Sequence, residues 1–393
     1  MTNVVISSSA RTAIGSFGRS LKDVPPTELG ATAARAAVER AGVEPQQVEQ
    51  TVVGNVIHTD PEDMYLARVI AMKAGVPKES PAMTLNRLCG SGLQAVVSAA
   101  QVIQSGDAEV VLAGGAESMS RGAYWVENAR WGARMGEATM VDAVVGCLTD
   151  PFGHVHMGVT AENLAESHGI SREQQDEFAL TSHQRALEAI GSGLFADEVV
   201  PVEITSRHET REFTVDEHPR SDVTLDGLAQ LRPAFNPDGT VTAGNASGIN
   251  DGGAAVVVMS ADRAKELDAP VQARILSYAV TGVEPSTMGI GPVSAITKAL
   301  ERAGKKLDDV EVIELNEAFA AQSLAVMQEL GLDGDSRVNP NGGAIALGHP
   351  IAASGAILVA KLMHEMEAAG NKLGLVSLCI GGGQGIAMLF ERD

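Results

Sequence analysis

The sequence has few cysteines and few basic residues, and each shortage excludes a class of protein. Cys89, Cys147 and Cys379 lie far apart without CxxC spacing, which excludes a disulfide framework and a zinc ribbon and fits a reducing compartment. Lys and Arg number 29 against 50 Asp and Glu, so the formal charge is −21. Because sequence-independent binding to nucleic acid needs clustered cations, we expect no nucleic-acid partner.

Targeting and membrane signals are missing as well. The segment from Met1 to Gly18 lacks the basic region followed by an apolar stretch that marks a secretory signal. No apolar run reaches the roughly 18–20 residues that a bilayer span needs. We therefore expect a cytoplasmic protein without a membrane partner. His154 and His156 have no acidic or thiol companion at ligand spacing, so we predict no metal site.

What the sequence has in excess is glycine and internal repetition. Glycine supplies 42 of the 393 residues, against about 7% in average proteins, and this indicates many close backbone approaches. Residues 37–49 and 299–311 are identical at seven of thirteen positions, at an offset of 262. Each segment reads as a helix end followed by a strand. The pattern predicts two copies of one β/α unit packed against each other.

The repeat sets the predicted fold class and domain organisation. Alternating β and α patterns in both copies predict an α/β protein with helices covering sheets. We place the N-terminal half at residues 1–118 plus 249–271, an inserted domain at 119–248 and the C-terminal half at 272–393. Within the insertion, a capping box from Ser171 to Gln174 predicts a helix that ends at Gly191. So long an insertion is more often a lid or a binding domain than a slack loop.

Cys89 is the candidate nucleophile. It lies where a strand-like segment gives way to a helix start flanked by Gly90 and Gly92. A thiol of ordinary pKa is only about 3% ionised at neutral pH, at a cost of about 2 kcal/mol. We expect the helix N-terminus and a histidine base to offset most of this cost. A buried structural cysteine is the alternative interpretation.

Three further residues are candidates for the same site. His349 begins a helix in the second copy, 260 residues after Cys89, so a pseudo-twofold fold would bring the two together. Cys379 ends the last predicted strand beside Gly381, where a thiol can act as acid or base next to an oxyanion site. Asn316 follows another strand and can orient a water or donate to an oxyanion. A loop histidine, a core cysteine and a helix cap are the structural alternatives.

At this point the residues resemble a known family. Four motifs occur in the order that thiolases have, specifically the biosynthetic acetyl-CoA acetyltransferases: Asn86–Gly92, Asn316–Phe319, Gly342–Pro350 and Cys379–Gly385. The resemblance covers essentially the whole chain, and residues 55–65 and 130–135 are most similar to the β-ketothiolases of polyhydroxyalkanoate producers. It implies a duplicated, layered α-β-α-β-α core with an inserted loop domain. It also implies a homotetramer, a dimer of dimers, assembled through the loop at Trp125–Met135.

The resemblance further implies a Claisen condensation of two acyl-CoA molecules in two half-reactions, or the reverse thiolysis. Cys89 would be acylated with His349 as base, and Cys379 would remove the α-proton of a second acetyl-CoA. The enolate oxygen would face His349 and a water held by Asn316. The tetrahedral oxyanion would lie on the N–H groups of Cys89 and Gly381. CoA thioesters would be the substrates, with no permanently bound cofactor.

Substrate recognition would belong mainly to the insertion. The residues that the resemblance implies for CoA and substrate binding are Leu148, His156, Arg220, Phe235, Ala243, Ser247 and Phe319. The sequence departs from the family at Ala352, where glycine is usual, so the preferred acyl chain length stays open. Two other functions also stay open: a condensing enzyme of the ketoacyl-synthase type, against which the thiol at Cys379 argues, and a lipid carrier without catalysis.

Overall fold

The computed structural model describes residues 3–205 and 209–393. Within them, alternating apolar segments form fifteen strands. The strands are Val4–Thr12 (β1), Gly15–Ser16 (β2), Gln50–Gly54 (β3), Ala82–Leu85 (β4), Val110–Ser118 (β5), Tyr124–Trp125 (β6), Val141–Asp142 (β7), Val199–Val200 (β8), Val202–Thr205 (β9), Thr210–Phe213 (β10), Asn250–Ser260 (β11), Ala273–Gly282 (β12), Val312–Leu315 (β13), Leu373–Ile380 (β14) and Gln384–Glu391 (β15).

The described residues also form twelve α-helices, most of the longer ones ending at a left-handed glycine. The helices are Pro26–Arg40 (α1), Leu66–Lys73 (α2), Ser91–Ser105 (α3), Ala143–Cys147 (α4), Met157–His168 (α5), Arg172–Gly191 (α6), Leu225–Ala229 (α7), Ala261–Glu266 (α8), Gly291–Ala303 (α9), Ala320–Leu330 (α10), Ala344–Leu347 (α11) and Ser354–Ala369 (α12).

The predicted duplication is confirmed by the sheet topology. The main strand order is β13-β14-β15-β12-β1-β11-β5-β3-β4, and among the described residues just two pairs, Val5–Arg274 and Ile6–Ala273, join β1 to β12. The sheet is therefore two half-sheets that meet at this narrow seam. In each half, the echoed helix (α1 or α9) precedes a short strand that pairs in parallel, β3 with β5 and β13 with β14.

Helices cover both faces of each half-sheet. One apolar cluster contains α3 and α12 together with strand residues of both halves, so these two helices form a central layer. The helices α1 and α2 pack on the outer face of the N-terminal half, and α9 and α10 contribute to a cluster on the C-terminal half. The predicted α-β-α-β-α order is confirmed.

The two central helices touch through their backbones. A methyl group added at Gly92 of α3 would lie 2.6 Å from the nitrogen of Ala356, and one added at Gly355 of α12 would collide with the nitrogen of Leu93. Glycine is required here because any side chain would separate the helices. The contact lies near the first residue of each helix, so the segments that carry Cys89 and His349 are brought to the centre of the molecule.

The insertion is tied to the core by buried charges. The helix α6 begins with the predicted capping box, in which the Ser171 hydroxyl accepts the N–H of Gln174, so that prediction is confirmed. Buried Arg11 on β1 pairs with Glu198 at 2.6 Å and with Asp216 at 2.8 Å. Among the described residues, no helix is both long and apolar enough to cross a membrane.

Candidate active site

Cys89 lies in a 3-10 turn, Leu88–Gly90, between β4 and α3. Leu88 has a φ of 46°, a left-handed conformation that residues other than glycine rarely adopt, and its N–H donates to the Asn86 side chain at 2.9 Å. Ser91 closes the turn, because its hydroxyl donates to the Leu88 carbonyl at 2.7 Å and accepts the Arg87 N–H at 2.8 Å. The half-buried Cys89 is thus held on a constrained turn.

Cys379 lies on a hairpin that faces this turn. The chain reverses between β14 and β15 at Gly382 and Gly383, whose φ values are 79° and 85°. The prediction that Cys379 ends the last strand is therefore wrong: β15 follows, and Cys379 pairs with Gly385 on it. Glycines with positive φ fold the chain back on itself, whereas the sequence pattern indicated only the end of a strand.

The hairpin and the turn are in contact. The backbone N–H groups of Gly381 and of Cys89 itself face the Cys89 sulfur and favour its thiolate. A methyl group added at Gly90 would lie 2.6 Å from Ile380, the residue after Cys379. Two backbone N–H groups therefore lie beside the Cys89 sulfur, where they can stabilise an oxyanion formed on a thioester that this sulfur attacks.

The hydrogen bonds around His349 identify its free nitrogen. Its Nδ1 lies 2.6 Å from the Ser354 hydroxyl oxygen, which in turn lies 2.9 Å from the Pro350 carbonyl. The single hydroxyl proton is donated to this carbonyl, because a carbonyl can only accept. Nδ1–H therefore donates to Ser354, and Nε2 keeps its lone pair. Nε2 is buried without a hydrogen-bond partner among the described residues, so it is available as a base.

Asn316 follows β13 and is 1% exposed. Both polar atoms of its side chain are buried without a partner in the described part of the chain, although burying an unpaired polar group costs about 1–3 kcal/mol. The helix-cap alternative does not hold, because Phe319 occupies the N-cap of α10. An amide kept at this cost is suited to bind a substrate oxygen or a water.

An aromatic group links the insertion to the C-terminal half. The rings of His156 and Phe235 stack at 4.5 Å, and Phe235 meets Phe319 edge-on at 6.1 Å. Leu148 joins the group through its carbonyl, which accepts the N–H of Met157 at 2.8 Å. Met157 packs in the same apolar cluster as Phe319 and Cys379. The structure thus brings three predicted substrate-binding rings beside the second thiol.

The remaining predicted binding residues lie in different settings. Ser247 is half-buried and its N–H donates to the Ala318 carbonyl at 3.0 Å, next to Phe319. Ala243 is exposed in a turn. Arg220 is also exposed, with its guanidinium 3.5 Å from the carboxylate of Asp222. Arg220 is therefore at the surface, whereas the rings of the aromatic group are half-buried or, for Phe319, buried.

Comparisons with known proteins agree with this geometry. The model of the thiolase N-terminal domain matches residues 4–262, and that of the thiolase C-terminal domain matches residues 269–392. The chain belongs to the thiolase family. It is 56% identical over 390 residues to "Beta-ketothiolase BktB" of Cupriavidus necator, covering 99% of both chains. It is 53% identical to an acetyl-CoA acetyltransferase of Pseudomonas aeruginosa over the full length of both.

Solved structures show the same fold. The acetyl-CoA acetyltransferase of Bacillus anthracis superimposes with a TM-score of 0.97 at 48% identity, covering 100% of this chain and 99% of that one. Human mitochondrial 3-ketoacyl-CoA thiolase in complex with CoA superimposes with a TM-score of 0.96 at 46% identity, over 100% and 98% of the two chains. The family and fold that the four motifs predicted are therefore confirmed.

The electrostatics of this thiolase correct one expectation. We expected the helix start to favour the Cys89 thiolate, but burial outweighs the backbone hydrogen bonds and raises the pKa of Cys89 to about 11. Burial and the neighbouring Cys89 also raise the pKa of Cys379. Burial lowers the pKa of His349 to about 4. In the resting thiolase both sulfurs are thiols and the imidazole is neutral.

Sequence reasoning missed three buried polar residues of this thiolase. Ser354 holds the imidazole, Asn250 accepts the N–H of His349 at 2.9 Å, and Glu117 accepts the N–H of Ala352 at 3.1 Å. Each stands inside or at the edge of an apolar segment, where a polar side chain needs a partner. A polar residue within an apolar segment can be recognised in the sequence. The sequence does not show which backbone group that residue binds. Ala352 itself is fully buried.

Proposed function

We propose that this thiolase is an acetyl-CoA C-acetyltransferase of the β-ketothiolase type. It condenses two acyl-CoA molecules to a 3-ketoacyl-CoA plus CoA, or runs the reverse thiolysis, through an acyl group on Cys89. The observation that carries the proposal is the contact between the Cys89 turn and the Cys379 hairpin, in which Gly90 packs against Ile380 and the Gly381 N–H faces the Cys89 sulfur. It joins a nucleophile to the hairpin of a second thiol, Cys379, so one thioester meets both sulfurs and a backbone donor.

In the first half-reaction, Cys89 attacks the thioester carbonyl while its proton passes to Nε2 of His349. Forming the free thiolate at pH 7 from a thiol with a pKa of about 11 costs about 5 kcal/mol, so proton transfer accompanies attack. The N–H groups of Cys89 and Gly381 hold the tetrahedral oxyanion. When it collapses, the bond to CoA breaks and the departing sulfur takes the proton of Cys379.

The proton transfers leave an ion pair that suits the second half-reaction. After acylation, His349 is an imidazolium and Cys379 a thiolate, although burial disfavours each charge alone. Opposite charges stabilise each other in a site of low dielectric. The two charges therefore form together. The Cys379 thiolate that results is the base of the next step.

In the second half-reaction, the Cys379 thiolate takes the α-proton of acetyl-CoA and becomes a thiol again. His349 and an Asn316-bound water hold the enolate oxygen, and the enolate carbon attacks the acyl group on Cys89. The Cys89 sulfur leaves and recovers its proton from the imidazolium. Cys89, His349 and Cys379 are then back in their starting protonation states, the proton that left with CoA having been replaced by the α-proton, and the products are one 3-ketoacyl-CoA and one CoA.

The CoA chain is proposed to run across the insertion. His156, Phe235 and Phe319 form an apolar wall beside Cys379, suited to the pantetheine arm, and Leu148 and Ser247 adjoin that wall. Ala243 is the exposed end of the same path. Arg220 at the surface suits the phosphates, because a local cation matters more than a net charge screened beyond about 8 Å. The complex of human mitochondrial 3-ketoacyl-CoA thiolase with CoA supports this class of ligand.

Labelled acetyl-CoA tests the proposed chemistry. With acetyl-CoA labelled in the acetyl group, we expect the wild type to carry label on Cys89, found by peptide mapping, and to exchange α-protons with solvent. Cys379→Ala should still acquire label on Cys89, but more slowly because the departing CoA sulfur loses its proton donor, and should lose the exchange. Cys89→Ala should lose the label. A wild type that neither acquires label nor exchanges protons would reject the activity.

Finer properties are part of the same proposal. We infer a division into residues 1–118 plus 249–271, 119–248 and 272–393, a cytoplasmic location and a homotetramer. Exposed Trp131 and Met135 in the loop of the insertion favour the tetramer. The similarity to a β-ketothiolase of Cupriavidus necator supports a role in making short 3-ketoacyl-CoA for polyhydroxyalkanoate synthesis. Comparing kcat/KM for acetoacetyl-CoA and 3-ketovaleryl-CoA tests this preference.

A further inference from the structure

The proposed base and the proposed nucleophile come from opposite halves of the molecule. Cys89 precedes α3 of the N-terminal half, and His349 precedes α12 of the C-terminal half. The distance from the imidazole to the sulfur therefore depends on what holds the segment from Gly348 to Ala352, here called the histidine turn, against the N-terminal half. This matters because a displacement of about 1 Å can slow catalysis by about a hundredfold.

Two buried side chains of the N-terminal half-sheet hold the histidine turn. The Asn250 side-chain oxygen accepts the His349 N–H at 2.9 Å, while its amide donates to the Gly15 carbonyl at 3.0 Å. The Glu117 carboxylate accepts the Ala352 N–H at 3.1 Å. Both side chains are fully buried. The turn is thus attached at its second and its last residue.

The two attachment points lie side by side on the sheet. Glu117 of β5 pairs with Gly252 of β11, two residues after Asn250. Pro350 of the histidine turn packs on Gly252, since a methyl group added there would lie 3.2 Å from its ring. The histidine turn therefore lies across the ends of two adjacent strands, with a hydrogen bond at each side of a proline contact.

Glu117 also holds the surroundings of the nucleophile. Its carboxylate accepts the N–H groups of Val56 and Ile57 at 3.2 and 3.1 Å, and the Asn55 amide at 3.1 Å. Val56 and Ile57 pack in the same apolar cluster as Cys89. One carboxylate thus connects the wall beside the sulfur to the turn that carries the imidazole.

We propose that Asn250 and Glu117 are positioning residues, which set the place of the His349 imidazole relative to the Cys89 sulfur. The inference rests on the proposed role of His349 as the base. Neither side chain is proposed to touch the substrate. They act through the backbone of the histidine turn, so their loss should slow the steps that use His349 and leave substrate binding nearly unchanged.

Single-turnover acylation with labelled acetyl-CoA tests the proposal. Asn250→Leu removes both hydrogen bonds at similar size, and we expect the acylation rate and the α-proton exchange to fall together by about a hundredfold, with KM changed less than about threefold. Asn250→Asp keeps an oxygen that accepts the His349 N–H and should recover at least about tenfold. Glu117→Gln replaces one acceptor oxygen with a donor and should slow acylation by about tenfold.

The pH profile of acylation separates positioning from a merely structural effect. A variant that cannot use His349 depends on the free thiolate, so its rate should rise about tenfold per pH unit between pH 7 and 9. Burial raises the pKa of Glu117 to about 8, so Glu117 titrates in this range, and the wild type should vary by much less than about tenfold per pH unit. Ser277→Ala is the matched control, because it removes a buried hydroxyl bonded to the Ala299 carbonyl at 2.6 Å on the outer side of the C-terminal half. It should lower stability and leave rate and profile unchanged.

The outcomes are distinguishable. The inference is overturned if folded Glu117→Gln and Asn250→Asp both acylate within about threefold of the wild type and Asn250→Leu either does the same or fails to fold. The two residues would then have a structural role only. If the wild type forms no acetyl group on Cys89, or His349→Ala acylates normally, the proposed function fails instead. Slow acylation with a steep pH profile in the variants supports the positioning role.

Discussion

The Nδ1 atom of His349 lies 2.6 Å from the hydroxyl oxygen of Ser354. Because the Ser354 proton is donated to the Pro350 carbonyl, this contact fixes the tautomer of the imidazole and leaves Nε2 as the acceptor of the Cys89 proton. A hydroxyl group on the first residue of α12 thereby decides which nitrogen is the base.

Replacing Ser354 should therefore reduce turnover more than binding. Ser354→Ala removes the acceptor for Nδ1–H, and we expect kcat for thiolysis of acetoacetyl-CoA to fall by about tenfold, the equivalent of one hydrogen bond. KM should stay within about twofold. Ser354→Thr keeps the hydroxyl and should retain most of the activity. A kcat of Ser354→Ala within twofold of the wild type would contradict the assignment of the tautomer.

Burial of His349 should make stability depend on pH. Its pKa is lowered by burial to about 4, against an ordinary value near 6.5, so the unfolded chain binds a proton that the folded chain does not. The contribution to stability is present above pH 6.5 and is lost as the pH falls toward 4. Between pH 7 and pH 5, we expect the wild type to lose about 2 kcal/mol more unfolding free energy than His349→Gln.

Urea denaturation at the two pH values, at equal protein concentration, measures this difference. Other histidines whose pKa burial lowers, such as His183, are present in both proteins and cancel. Equal losses in the wild type and in His349→Gln would show that the imidazole is protonated, or solvated, in the folded state.

Arg220 should influence the affinity for CoA thioesters and little else. Its guanidinium is exposed and lies near Asp222, so its effect is electrostatic and screened by salt. We expect Arg220→Ala to raise KM for acetyl-CoA by about three- to tenfold at low salt, less at high salt, and to leave the acylation rate constant unchanged. The control is Arg263→Ala, which removes another arginine paired with a carboxylate, at 2.7 Å from Glu266. An unchanged KM would remove Arg220 from the binding site.

The loop of the insertion should control assembly. Trp125 is 54% exposed, Trp131 79% and Met135 97%, an amount of exposed apolar surface that indicates an interface. We expect the double variant Trp131→Ala, Met135→Ala to convert a tetramer of about 160 kDa, four chains of 40.8 kDa, into a dimer of half that mass. Light scattering after gel filtration measures the mass. Val271→Ala, an exposed apolar residue outside the loop, should leave it unchanged, and a wild-type dimer would contradict the proposal.

Much of the fold was predictable because it follows from local patterns. The echo at an offset of 262 predicted two similar halves, and the sheet order confirms them. The high glycine content predicted many close backbone approaches, and the contact between Gly92 and Gly355 is one of them. Equivalent elements of a duplicated fold meet at its centre, so the sequence also indicated that Cys89 and His349 approach each other.

Other features depend on distant contacts and had no such local signal. The hairpin after Cys379 was missed because a glycine run ends a strand or reverses it equally well in the sequence. The helix start was expected to lower the pKa of Cys89, and burial of the sulfur in the folded chain raises it instead. Arg220 was predicted from its motif, yet only the folded chain places it at the surface.

The sequence by itself determined the repeat, the family motifs and the identity of the reactive groups, because composition and short-range spacing specify these. The tertiary structure alone decided how the groups are held. Asn250 and Glu117 are separated by 99 and 235 residues from the backbone groups that they bind, and Ser354 sets the tautomer only through a folded turn. Hydrogen bonds between such distant groups exist once the two halves have packed, since only packing brings each donor within reach of its acceptor.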